Sequence, residues 1–174
     1  MAKIKLSNVR LSYPSLFRKA NFNGEETKYE ATFLLNKDSH AALIKEIKAA
    51  IDDKIKTDLK GIKLASDKIC LKDGDDSGND SYANHYTLKA ANNKRPLVID
   101  KDKSPLSEDD NRIYSGCYVN ASIELWVQNN AYGKRINATL LGVQFYKDGE
   151  PFADGGSTAS VDDFDAFDDD DDDL

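Results

Sequence analysis

From Cys117 to Gln128 the chain alternates without a break. Cys117, Val119, Ala121, Ile123, Leu125 and Val127 are small or apolar, while Tyr118, Asn120, Ser122, Glu124, Trp126 and Gln128 are polar or amphipathic. Period-two alternation of this kind fits a strand with one buried face and one wet face. Asn129–Lys134 (NNAYGK) reads as a hairpin connection with Gly133 in the turn, and Arg135–Tyr146 returns as the partner strand. The parity of the returning strand switches at Leu140–Leu141, which predicts a bulge there.

Upstream segments repeat the theme. In residues 3–13 the apolar set moves from Ile4 and Leu6 to Val9, Leu11 and Tyr13, which predicts a strand with a bulge near Ser7–Asn8, as a strongly curved sheet requires. A long connection from Pro14 contains Asn23–Gly24 as a turn. Lys28–Leu35 is a second strand with Tyr29, Ala31, Phe33 and Leu35 on one side. Leu43, Ile44, Ile47, Ile51 and Ile55 then recur at helical spacing, with Asp38 or Ser39 as the expected cap and Gly61 as the stop. Tyr82–Ala91 is a further strand, Asn92–Pro96 a turn, Leu97–Ile99 a short strand and Asp100–Asn111 a polar loop. The expected fold is mainly β: an OB-fold-like, five-stranded, partly open barrel with an inserted amphipathic helix. A flat sheet with a helix on one side is the alternative.

The charge is segregated. All 24 Lys and Arg precede residue 161, whereas nine of the 31 Asp and Glu follow it, so a chain of net charge −7 holds a body of net +2. The division expected is an OB-fold domain at 1–152, a flexible Gly- and Ser-containing linker at 153–160 and an acidic tail at 161–174. The tail, VDDFDAFDDDDDDL, cannot bury enough apolar surface to offset its ordering entropy and is expected to be disordered. Extended, its uninterrupted Asp168–Asp173 stretch carries one charge per ~3.3–3.6 Å, close to the ~3.4 Å of a DNA strand. With two rings set among the charges, the tail reads as a decoy for a single strand; a solubility tail is the plainer reading.

Catalytic chemistry finds little purchase. His40 falls at a helix start and His85 in a strand, and no phosphate loop, metal-spaced cysteine pair or nucleophile elbow is present. No catalytic residue, metal or cofactor is assigned. The loop KDGDDSGND (72–80) gathers Asp73, Asp75, Asp76 and Asp80, but its register does not match a calcium loop. Cys70 and Cys117 sit beside apolar residues and read as reduced structural thiols. No apolar run suits a signal peptide or a membrane span, so a cytoplasmic location is expected.

Single strands are held by basic grooves and by aromatic side chains that stack on bases. Trp126 and Tyr118 share the polar face of one strand, and Tyr132, Lys134 and Arg135 lie at the hairpin tip. Lys89, Lys94 and Arg95 run along an earlier strand and its turn, Phe17 sits in the first connection, and Lys28 precedes Tyr29. These eleven residues are the candidate nucleic-acid contacts; Tyr29 and Tyr118 serve equally well as core or rim packing.

The segments NVRLSYPSLF (Asn8–Phe17), KYEATFLL (Lys28–Leu35), KDGD (Lys72–Asp75), YSGCYVNA (Tyr114–Ala121) and LLGVQFYKDGEPF (Leu140–Phe152) resemble, in order, those of a bacteriophage single-stranded-DNA-binding protein family. The resemblance implies an OB-fold, sequence-tolerant binding of single-stranded DNA in phage replication or recombination within the infected bacterial cytoplasm, and an acidic C-terminal tail. The layout is also similar to that of the T7-type phage binding proteins, in which the tail masks the DNA groove and contacts replication enzymes. By that likeness Asp162, Asp163, Phe164, Asp165, Phe167, Asp168, Asp169, Asp170, Asp171, Asp172 and Asp173 would meet a phage or host polymerase, helicase or primase. Cellular bacterial binding proteins end in Pro-Phe; this chain ends Asp173–Leu174, so docking to their host partners is not expected. A homodimer is among the assemblies this layout admits. Two other classes stay open: an acidic interaction module or DNA mimic acting on a DNA-processing enzyme, and an RNA-binding OB-fold.

Overall fold

The computed structural model describes residues 2–152; the expected linker (153–160) and acidic tail (161–174) lie outside the described residues. Strand β1 (Ala2–Ser15) pairs antiparallel with β4 (Tyr29–Asn36) on one edge and with β8 (Tyr118–Asn130) on the other. Its register against β8 slips between Leu6 and Val9, at the expected bulge, where Asn8 takes φ +53° and donates its N–H to Asn120 Oδ1 at 2.9 Å. A second irregularity between Ser12 and Ser15, with Tyr13 at φ +48°, left no mark in the alternation. Asn23–Gly24 turns a two-residue ladder of β2 (Asn21–Phe22) and β3 (Glu25–Glu26).

Helix α1 (Ala41–Asp58) buries Ile44, Ile47 and Ile51 and packs against β1 and β8. Its start differs from the expectation. The side chain of Asn36 accepts the N–H groups of Asp38 and Ser39 at 2.9 and 3.0 Å, so both residues belong to the preceding turn and His40 is the N-cap. Gly61, at φ +72°, donates back to Ile55 O at 2.9 Å and ends the helix as expected.

The remaining strands are β5 (Leu71–Asp73), β6 (His85–Asn92), β7 (Leu97–Ile99) and β9 (Gly133–Lys147). The strand expected from Tyr82 begins only at His85, because Asp80–Tyr82 form a 3-10 turn that the Asn79 side chain caps. β8 and β9 make the long hairpin, and their register shifts where Ser122 faces Gly142 and Ile123 faces Leu140, leaving Leu141 as the bulge the parity predicted. The circuit β1–β4–β6–β9–β8–β1 closes into a five-stranded barrel with the OB strand order. Val9, Leu11, Phe33, Leu35, Leu88, Val119, Ile123, Leu125, Ile136 and Leu140 fill it with no exposed surface.

One seam is slight. β6 and β9 meet in a single parallel pair, Ala91–Thr139. Beside it the chain from Ile69 to Asp73 is wedged between them: Cys70 N–H donates to Ile136 O at 2.9 Å on the β9 side, while β5 pairs antiparallel with Leu88, Thr87 and Tyr86 of β6. That wedge splays the outer face of the barrel. No helix among the described residues is long and apolar enough to cross a membrane.

Candidate nucleic-acid interface

A cleft of about 390 Å³ opens over the wedged seam. Its floor is the outer face of two paired strands, Thr32 of β4 and Thr87, Lys89 and Ala91 of β6. The wedge supplies Lys68, Ile69, Cys70 and Lys72. From across the seam come Trp126 of β8 with Arg135, Asn137 and Ala138 of β9; Lys28 stands at one rim and Tyr82 at another. Five cationic side chains thus border one cleft, against Asp67 as the acid in its lining.

The alternation of β8 explains how Trp126 gets there. Leu125 is buried in the barrel, so its neighbour must point outward, and Trp126 pairs with Asn137 on that outer face. Arg135, two residues before Asn137, points the same way and donates from Nη2 to Asp67 O at 3.0 Å. Lys89 pairs with Glu30 at 2.9 Å across β6 and β4, and this carboxylate partly offsets the cation from just outside the cleft lining. The thiol of Cys70 is pushed up to about 11 by burial, with small opposing effects from neighbouring backbone N–H groups and Lys72. It is neutral at physiological pH and behaves as a wall, not a nucleophile.

Of the eleven sequence candidates, Lys28, Lys89, Trp126 and Arg135 share this cleft. Lys134 and Tyr132 follow Arg135 out to the exposed hairpin tip, where Tyr132 is 91% accessible. The others lie elsewhere. Phe17 is partly buried against the core, with the Arg95 guanidinium 5.5 Å from its ring centroid. Lys94 is exposed in the turn after β6, and its N–H is held by Asn92 Oδ1 at 2.9 Å. Tyr29 is half-buried and carries the parity of the core residues Ala31 and Phe33. Tyr118 sits eight residues along β8 from Trp126, roughly 27 Å at ~3.4 Å per residue. Lys147 Nζ lies 4.8 Å from its ring, and the chain at Gly149 packs directly on it.

Reasoning from sequence missed Lys68, Lys72, Tyr82, Thr32, Thr87 and Asn137. A signal existed for two of these. Ile69–Cys70–Leu71 is a short apolar run flanked by Lys68 and Lys72, the mark of a brief buried strand with cationic ends. Tyr82 had no such signal, because its place depends on how the acidic loop folds. That loop is tied to the start of α1. Lys37 Nζ lies 2.7 Å from Asp73 and 2.6 Å from Asp75, and its hydrogen bonds hold both carboxyls below the usual carboxylate range. Asn84 N–H donates to Asp75 Oδ1 and Asn84 Nδ2 to Asp38 Oδ2, each at 2.9 Å. The carboxylates that had suggested a cation site are in this way spent partly on a lysine and on loop backbone; among the described residues no group of three or more metal-ligating side chains gathers.

A family model described as the single-stranded-DNA-binding protein of Enterobacter phage Enc34 matches residues 2–174. The chain belongs to that family. It is also 47% identical over 173 residues to protein p50 of Acyrthosiphon pisum secondary endosymbiont phage 1, covering 94% of this chain and 92% of that protein. Among solved structures it is similar to the Enc34 single-stranded-DNA-binding protein in complex with single-stranded DNA, at 38% identity and a TM-score of 0.78, over 86% of this chain and 89% of the other. The T7 single-stranded-DNA-binding protein gp2.5 shares the fold at a TM-score of 0.54 and 13% identity, over 91% and 99% of the two chains.

Proposed function

We propose that the chain is a non-enzymatic, sequence-tolerant single-stranded-DNA-binding protein of phage DNA replication or recombination, working in the cytoplasm of the infected bacterium. Phosphates are neutralised by Lys28, Lys68, Lys72, Lys89 and Arg135, and a base stacks on Trp126. The observation that carries this reading is the convergence of five cations and the Trp ring on one cleft of the barrel's outer face. Family membership supports it, since the Enc34 protein has been solved with single-stranded DNA. Small floor residues, Thr32, Thr87 and Ala91, leave room for bases where long side chains would fill the space. Stacking is indifferent to base identity because every base has a π-face, so the site discriminates strandedness before sequence.

The acidic end, 161–174, is the competitor. The charge spacing of its Asp168–Asp173 stretch approximates that of a DNA strand, and a body of net +2 binds phosphate weakly enough for an intramolecular polyanion to matter. When DNA takes the cleft, the Asp and Phe residues of the tail are released for a polymerase, helicase or primase. The test is a gel shift of full-length protein and of residues 1–160 on single-stranded DNA, duplex DNA and RNA. Binding of single-stranded DNA by both, tighter without the tail, is the expected result. Failure of both proteins to bind any oligonucleotide would sink the reading in favour of a DNA mimic, and preference for RNA would reassign the substrate.

A further inference from the structure

We propose that Tyr82 is a second base-stacking residue of the cleft, and that the loop carrying it, residues 73–84, sets how far a single strand runs across the barrel. This inference rests on the reading of the cleft as a single-stranded-DNA site.

Tyr82 and Trp126 line the same cleft from different sources. Trp126 comes from β8, beyond the β6–β9 seam; Tyr82 comes from the loop before β6 and reaches over β4 to β1, where its hydroxyl meets Ser12 Oγ at 2.8 Å. Between them lies a floor of Thr32, Thr87, Lys89 and Ala91. Ser12 is fully buried although it sits on a barrel strand beside Thr32, so the tyrosine has roofed that part of the outer face. A tyrosine that merely filled space would be buried with its ring; this one is half-buried, with its hydroxyl tethered and its side chain on the cleft. Tethering the hydroxyl fixes the ring in advance, which lowers the ordering cost of a stack.

The loop is built to hold that position. At Gly74 a Cβ would come 2.3 Å from Tyr82 O and 2.5 Å from His85 O, so only glycine lets the two ends of the loop close on each other. Lys37 grips Asp73 and Asp75 from outside, and its own N–H donates to Asn84 O at 2.9 Å. Two of the loop's four carboxylates are thereby paired, and the loop can border a polyanion site at reduced electrostatic cost. Lys37 is a positioning residue on this account; Tyr82 makes the contact.

The experiment is fluorescence anisotropy of full-length protein with oligothymidylates of increasing length, for wild type, Tyr82→Ala, Tyr82→Leu, Tyr82→Phe, Lys37→Gln and Lys37→Arg. Tyr82→Ala is expected to weaken binding about tenfold on long oligomers, a single stack's worth, with little change on the shortest. Its salt slope should match wild type, because the ring carries no charge. Tyr82→Phe should stay within about twofold, since the stacking ring remains. Lys37→Gln should show the same length-dependent loss and Lys37→Arg should restore binding. Should Tyr82→Ala fold poorly, Tyr82→Leu keeps volume without an aromatic face and must reproduce the loss. Wild-type affinity in Tyr82→Leu at every length, or a loss in Tyr82→Phe as large as in Tyr82→Leu, would overturn the inference. Absence of wild-type binding would instead overturn the function on which it rests.

Discussion

Trp126 carries more of the account than any other side chain, and its contribution is separable. It is half-exposed, so replacing it costs little core packing, whereas a lost base stack costs ~1–3 kcal/mol. Trp126→Ala should therefore weaken single-stranded-DNA binding by about 5- to 150-fold with little change in melting temperature, as titration and thermal denaturation would show. Tyr118→Ala is the matched control. It has the same parity on the same strand, yet it lies under the Lys147 ammonium at the far end, and its loss should leave affinity unchanged. Alternation tells which face a side chain takes; it does not tell where around a curled barrel that face ends up. Hence the outward face of Trp126 was legible, whereas the separation of Tyr118 from the cleft was not. Glu30 offers a prediction of opposite sign. Removing its charge in Glu30→Gln frees Lys89 and takes a carboxylate away from the cleft rim, so affinity should rise at low salt. Lys89→Gln should instead reduce the slope of log affinity against log salt by ~0.7, the share of one phosphate contact on a single strand.

At the scale of elements, much of the barrel could be read in advance. Both expected bulges fall where the apolar parity switched, at Ser7–Asn8 and Leu140–Leu141, because a bulge is the one local event that moves a whole buried set to the other parity. The wedge of Ile69–Asp73 was missed: its strand, Leu71–Asp73, is three residues, too few for periodicity to show, and its role depends on non-local pairing with β6 and β9. Two elements invite measurement. The Asp73–Asn84 loop is latched by carboxyls whose folded values lie below their usual range, chiefly through Lys37. A depressed carboxyl stabilises the fold above its unfolded value and loses that contribution as pH falls through the folded value. Amide protection in the loop should thus hold from pH 8 to about pH 5 and decline below about pH 4; protection that falls instead across neutral pH would contradict the latch. The other element is the segment after β9. Tyr114 Oη accepts the N–H of Gly149 at 3.0 Å and donates to its carbonyl at 2.8 Å. A Cβ at Gly149 would come 2.2 Å from Gly116 O, and one at Gly116 2.3 Å from Glu150 O. Gly149→Ala should cost ~1–3 kcal/mol in urea denaturation while leaving DNA affinity of the folded protein unchanged, because this crossing lies far from the cleft.

For the whole molecule the deciding quantity is how charge is distributed, since a total of −7 would suggest a protein that avoids nucleic acid. A body of +2 with five cations bordering one cleft, joined to a tail that holds nine aspartates, has the charge layout that the proposed weak polyanion binder with its own competitor requires. Removing residues 161–174 should tighten binding most at low salt and least at high salt, where the intramolecular competition is screened along with the DNA. Equal affinities at every salt concentration would eliminate the competitor and leave the binding site standing. The site itself has a built-in reporter, because Trp126 is the single tryptophan of the chain. The most direct measurement is tryptophan fluorescence of the full-length protein titrated with single-stranded DNA, followed in parallel by anisotropy of labelled DNA. Saturable quenching that tracks the anisotropy, fails with duplex and reverses on adding salt is the predicted result. DNA bound by anisotropy with Trp126 emission unmoved would contradict the account, because the strand would then lie somewhere other than this cleft.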